Sequence, residues 1–269
     1  MLLLVVLGCS SPVESDPLGY DAGRSGLEGA DGPWGVHLTV TADADPPHDL
    51  FAPTDAEGAP AEVGFAAATL VILQGEGELP EGYHWLAQHL ASRGATVIVP
   101  HHGLESAWVD PRAGQRALAA ALTAGQVTED APVGFLGHGL GGAAAAALWA
   151  GEESIEGLAL LSASAGADTD VESRESGSVL IMVGGEEDKD TVSAVKAGGD
   201  RFNVTHAVVV VPDMLSADWS AEGADHAKWG IDGWVDSCVT SSVGTWPFYA
   251  AAHPEDVVGS PCELMVMGG

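Results

Sequence analysis

The chain has 269 residues, 46% hydrophobic and 18% charged, which is enough apolar material for a sizeable core and excludes an intrinsically disordered chain. Its 39 Asp and Glu against 9 Lys and Arg leave a formal net charge of −30. A surface of that sign is repelled by phosphate backbones and anionic headgroups, which argues against nucleic-acid binding; the charge reads as a solvated acidic face.

In chain order, Met1 to Leu7 is a short apolar run. The following Val6-Leu7-Gly8-Cys9 resembles a bacterial lipobox, in which Cys9 becomes the lipidated mature N-terminus. That implies a signal remnant at 1–8 and a membrane link through a lipid anchor at Cys9. The expected location is the cell envelope, at the bacterial outer membrane or the periplasmic or extracellular face. Residues 9–31, rich in Gly, Ser, Pro and acids, read as a flexible acidic linker, and 32–269 as one domain, expected to be monomeric. No later stretch holds 18 unbroken apolar residues, so no span is expected. With Cys9 acylated, Cys238 and Cys262 are an even pair in an oxidising compartment and read as a disulfide worth about 3 kcal/mol, two free thiols being the alternative.

Trp34 to Thr41 alternates, and His48 to Ala52 adds a second short stretch; together they predict an antiparallel pair at a sheet edge. Thr69 to Leu73 is continuously apolar, as a strand buried on both faces must be. Gly82 to Arg93 carries Trp85, Leu86 and Leu90 at helical spacing, with Gly94 placed to cap it. Thr96–Val99 is the next strand, Arg112–Ala124 an Ala/Leu-rich helix ended by Gly125, Val133–Leu136 a strand and Leu140–Ala150 a helix of almost pure Ala. Leu158–Leu161, Val179–Val183 and Ala207–Val211 are three further apolar strands. This alternation predicts a mostly parallel sheet of about eight strands flanked by helices, with functional groups beyond the C-terminal strand ends.

The loop after Val133–Leu136 reads Gly137-His138-Gly139-Leu140-Gly141-Gly142. A strand, a tight turn flanked by small residues and a small-residue helix make the geometry of a nucleophile elbow. The segment resembles the Gly-His-Ser-Leu-Gly-Gly elbow of α/β-hydrolases, in the branch of dienelactone-hydrolase-like, chlorophyllase-like and polyester-hydrolase-like enzymes, with Gly139 in the place of serine. Thr69 to Pro100, with Gln74-Gly75-Glu76-Gly77, resembles that branch's oxyanion strand, helix and next strand. Gly185-Glu186-Glu187-Asp188 resembles the loop of the triad acid, and Gly223 to Gly230 the loop presenting the triad histidine. The resemblance spans about Gly32 to Gly233 and implies the α/β-hydrolase fold. It implies Asp188, with Glu187 next, and His226 as triad equivalents, and an oxyanion hole near Glu76 and Leu140.

Serine hydrolysis needs an oxygen nucleophile, and Gly139 has none. Glu76 beside a developing oxyanion would oppose the charge the hole must stabilise. The expectation is a pseudo-hydrolase that binds a small apolar or ester-like ligand. The alternatives are a non-standard ester hydrolase, in which Asp188 and His226 activate water or Ser162 or Ser164 substitutes, and a purely structural surface lipoprotein. No cofactor is called for. His138 reads as structural. His101 and His102 lack a third ligand at metal spacing, and the acidic run Glu186–Asp190 reads as a solvated loop instead of a calcium site, so no metal is expected. Trp108, Trp229 and Trp234 fall in loops at the expected active face, where they line a pocket or simply pack.

Overall fold

The computed structural model describes residues 34–61, 68–92, 94–101, 112–211, 215–220 and 263–267. The residues Cys9, His102, Trp108, His226, Trp229, Trp234, Cys238 and Cys262, and the expectations resting on them, lie outside these described residues.

The strands are β1 (Gly35–Thr41), β2 (His48–Thr54), β3 (Thr69–Leu73), β4 (Thr96–Pro100), β5 (Val133–His138), β6 (Ile155–Leu161), β7 (Ser178–Gly184), β8 (Thr205–Val211) and β9 (Glu263–Met267). They form one sheet in the order β1-β2-β4-β3-β5-β6-β7-β8-β9. Strands β3 to β8 run parallel. β1 and β2 form the expected antiparallel pair at one edge, and β2 continues antiparallel onto β4. The count exceeds the expected eight because β9 adds antiparallel to β8, from His206 opposite Met267 to Val210 opposite Glu263.

The helices are α1 (His84–Ser92), α2 (Ala113–Thr123), α3 (Leu140–Gly151) and α4 (Lys189–Gly199). α1 packs on β2 and β4, α2 on β3 and β4, α3 on β5 and β6, and α4 on β7 and β8. The first turn expected of α1 is instead a separate 3-10 turn, Pro80–Tyr83, with Pro at its start where a missing N–H costs nothing. A second 3-10 turn, Ser216–Ser220, follows β8 and packs against the first.

The continuous apolar runs are buried on both faces. Leu70, Val71 and Ile72 of β3, Phe135 and Leu136 of β5, and Leu158 and Leu160 of β6 lose essentially all exposure. Each such side chain contributes roughly 1.5–3 kcal/mol of burial. Antiparallel pairing with β4 places His48 opposite Pro100, so the start of β2 lies at the edge where the parallel strands end. That edge carries the candidate site.

α3 lies unusually close to the sheet because it begins with small residues. A Cβ on Gly141 would fall 2.3 Å from the Gln74 carbonyl oxygen, and one on Gly142 2.3 Å from the Ala163 Cβ. Behind this close approach Ala145, Ala146 and Trp149 are fully buried. At its other end the helix meets Arg174, which is buried and donates to the carbonyls of Trp149, Glu152, Glu153, Ile155 and Ser176. Its guanidinium also sits 4.8 Å over the Trp149 ring.

Candidate functional site

β5 ends at His138, and the next residue turns the chain into α3. Gly139 has φ 51° and ψ −118°, the left-handed side of the map that L side chains rarely adopt. The turn is held by Gly139 N–H donating to Leu161 O at 3.2 Å and Gly142 N–H donating back to Gly139 O at 3.1 Å. A Cβ on Gly137 would collide with the backbone of Gly141 and Gly142 at 2.4–2.5 Å. Among the described residues, a Cβ on Gly139 would meet only Gly75 Cα, at 3.9 Å. The flanking glycines are therefore demanded by packing, whereas at the tip the described residues leave space for a side chain. Gly139 and Leu140 are both partly exposed, and no side chain caps the start of α3.

Glu76, on the loop after β3, is exposed. The carboxylate facing this region from the loop is Glu78, whose charge raises the proton affinity of both Tyr83 and His138.

Asp188 has a different occupation. It is the N-cap of α4: one oxygen accepts from Asp190 N–H at 3.0 Å and Thr191 N–H at 2.9 Å, the other from the Thr191 hydroxyl at 2.6 Å. The Thr191 hydroxyl and backbone hydrogen bonds hold its carboxyl below the ordinary range. The pattern Asp188-Lys189-Asp190-Thr191 before an apolar-periodic run is a helix start, a signal present in the sequence. Its neighbour Glu187 turns the other way and accepts from the Ser216 N–H on the 3-10 turn after β8. Of the two acids after β7, Glu187 is thus the one that reaches the loop following β8.

His138, immediately before the tip, is buried within a chain of hydrogen bonds that spacing does not reveal. Gly75 N–H donates to the Tyr83 oxygen at 2.9 Å; that oxygen lies 2.6 Å from His138 Nδ1; His138 Nε2 lies 2.9 Å from Ser216 Oγ. Burial pushes the imidazole down to about 4, so it is neutral at physiological pH, and burial pushes the Tyr83 phenol up. The turn Ser216–Ser220 is pinned further where Trp219 Nε1 donates to Ser162 Oγ at 3.1 Å and Trp85 Nε1 to Trp219 O at 3.1 Å. Ser162, at φ 44°, therefore has its hydroxyl engaged by an indole, and Ser164 is exposed.

Three strands from β5 across the sheet, Asp49 on β2 is buried and holds two histidines. His84 Nε2 lies 2.8 Å from Asp49 Oδ2; His101 Nε2 lies 3.0 Å from the same oxygen, too oblique for a hydrogen bond. Asp49 Oδ1 is buried without a partner. Sequence reading found His101 but not Asp49 or His84, which lie 35 residues apart and meet only through the packing of α1 on β2. Among the described residues no three His, Cys, Asp or Glu side chains are disposed to hold a metal ion. No helix among them is long and apolar enough to cross a membrane.

The chain matches no protein-family model, and no curated protein matches it significantly.

Proposed function

We propose that the chain is an α/β-hydrolase scaffold whose nucleophile elbow has lost its nucleophile, and that the face around Gly139 binds a small apolar or ester-like ligand without turnover at that position. The observation that carries this reading is the backbone of Gly139: a strand-to-helix turn at φ 51° and ψ −118° where the described residues leave room for a side chain and none is present. Retaining a strained turn has no evident packing purpose here, because Gly137, Gly141 and Gly142 already secure the close approach of α3. Glycine relieves the strain, so the fold keeps the turn at no conformational cost while the acyl-enzyme route is closed. In this reading Leu140 N–H is one donor of the former oxyanion hole, His226 is the histidine equivalent, and Glu187 replaces Asp188 as the acid, because Asp188 is committed to α4. The reading also keeps the lipid anchor at Cys9, which would hold this face near a membrane while the charge of −30 keeps it off anionic headgroups.

The test is Gly139→Ser assayed on short-chain aryl esters. Weak hydrolysis should appear, at least tenfold above the wild-type chain, and should disappear when His226→Ala is added. Robust multiple turnover by the wild-type chain that vanishes in His226→Ala would overturn the proposal.

A further inference from the structure

We propose that Ser216 and His138 form a second serine–histidine pair beside the empty elbow, able to accept an acyl or phosphonyl group from an activated ester onto Ser216 Oγ. The geometry is that of a nucleophile and its base: Oγ stands 2.9 Å from Nε2, within hydrogen-bond reach. The other ring nitrogen is held by a third group, since Nδ1 lies 2.6 Å from the Tyr83 oxygen. In the tautomer with Nδ1–H donating to the Tyr83 oxygen, Nε2 carries the free lone pair and accepts from the Ser216 hydroxyl. The imidazole is neutral above its lowered titration point, so that lone pair is available at pH 7.

The serine is placed, not incidental. Its N–H is held by the Glu187 carboxylate, and its turn is anchored by Trp219 on Ser162 and by Gly82, where a Cβ would lie 2.3 Å from Ser220 O. His138 is buried while Ser216 is partly exposed, so the imidazole faces away from water and the hydroxyl borders it. His138 directly precedes Gly139, which puts the pair next to the uncapped start of α3.

In the step, an Oγ lone pair forms the bond to the carbonyl carbon and the hydroxyl proton passes to Nε2. The bond to the leaving oxygen then breaks with its electron pair, and that oxygen takes the proton from Nε2. Water reverses the sequence: its oxygen bonds to the acyl carbon as its proton passes to Nε2, the acyl–Oγ bond breaks with its electron pair, and Oγ recovers the proton. Burial lowers the proton affinity of His138, so the base is weaker than an exposed imidazole and the expected behaviour is one slow acylation per chain instead of rapid turnover.

The inference rests on the reading that this face takes ester-like ligands, and the two are separable by experiment. The full-length wild-type chain is treated with a fluorophosphonate probe, from which fluoride leaves as Oγ attacks phosphorus, and is analysed by intact mass and peptide mapping. One adduct on Ser216 is expected, reduced at least tenfold in Ser216→Ala and unaffected by His226→Ala. Mapping on the unaltered chain requires no variant to fold, and circular dichroism checks the alanine variants. Absence of the adduct from the wild-type chain, or its location at another residue, overturns the Ser216 assignment. If Gly139→Ser is labelled at position 139 while the wild-type chain stays unlabelled, the hydrolase scaffold stands and the second pair alone is rejected.

Discussion

At its C-terminal end α3 is closed by a buried cation, whereas at its N-terminal end the same helix begins with glycines and has no capping side chain. Arg174 satisfies the carbonyls of Trp149 in the last turn of α3 and of its C-cap Glu152, while the rest of its five donors in a fixed fork reach Glu153, Ile155 and Ser176. The start of α3 is instead brought hard against β3 by Gly141 and left partly open at Gly139 and Leu140. α4 offers the contrasting start: Asp188 occupies two of its first N–H groups and a threonine hydroxyl. Among the described residues one helix start is therefore capped by a side chain and another is not. A partly exposed helix start without a side-chain cap suits a ligand or a developing anion, while a capped start serves stability.

The largest expected effect tests the closed end. Arg174→Ala removes charge-assisted bonds to buried carbonyls and should destabilise the chain by about 3–4 kcal/mol in urea unfolding, with Arg174→Lys recovering only part because one ammonium cannot serve five acceptors. A loss under about 1 kcal/mol would mean that water satisfies that end as well as Arg174 does.

The next effect belongs to the open end, through His138. Its folded-state titration is lowered from 6.5 to about 4, so the folded chain binds fewer protons than the unfolded chain between those values. The associated stability is fully present above pH 6.5, falls as pH drops, and is exhausted below about 4. At 1.36 kcal/mol per pH unit this amounts to about 3 kcal/mol, readable as the slope of unfolding free energy against pH. His138→Gln should flatten that slope; an unchanged slope would place the acid sensitivity elsewhere.

The smallest effect concerns the capped start. Asp188→Ala should lower Tm by about 2–4 °C, the usual consequence of losing an N-cap in a domain of this size, with no influence on any esterase activity gained in Gly139→Ser. If that activity fell instead, Asp188 and not Glu187 would be the working acid.

Much of this architecture was legible before any coordinates. Thr69–Leu73, Val133–Leu136 and Val179–Val183 are unbroken apolar runs, and only a strand covered on both faces tolerates that composition. The turn at Gly137–Gly142 was legible because close backbone approach admits no Cβ, and the chain spells that constraint out as glycine. β9 was not legible: Glu263–Met267 is short, and its strand state is decided by the open edge of β8. Nor were the polar contacts. His138 meets Tyr83 from 55 residues away and Ser216 from 78, distances over which spacing carries no information. Asp188, which the family resemblance implies as the triad acid, also caps α4 through Asp190 and Thr191 N–H, a role set by short-range hydrogen bonding.

By itself the sequence determined the sheet-and-helix alternation, the glycine turn between β5 and α3 and the lack of a side chain at its tip, because these follow from local periodicity and from side chains that are present or missing. Only the tertiary structure decided which carboxylate faces the loop after β8, that Tyr83, His138 and Ser216 form one chain, and that Arg174 closes α3. Those depend on groups distant in sequence being buried together, where each donor must find its acceptor or lose the free energy of its hydration.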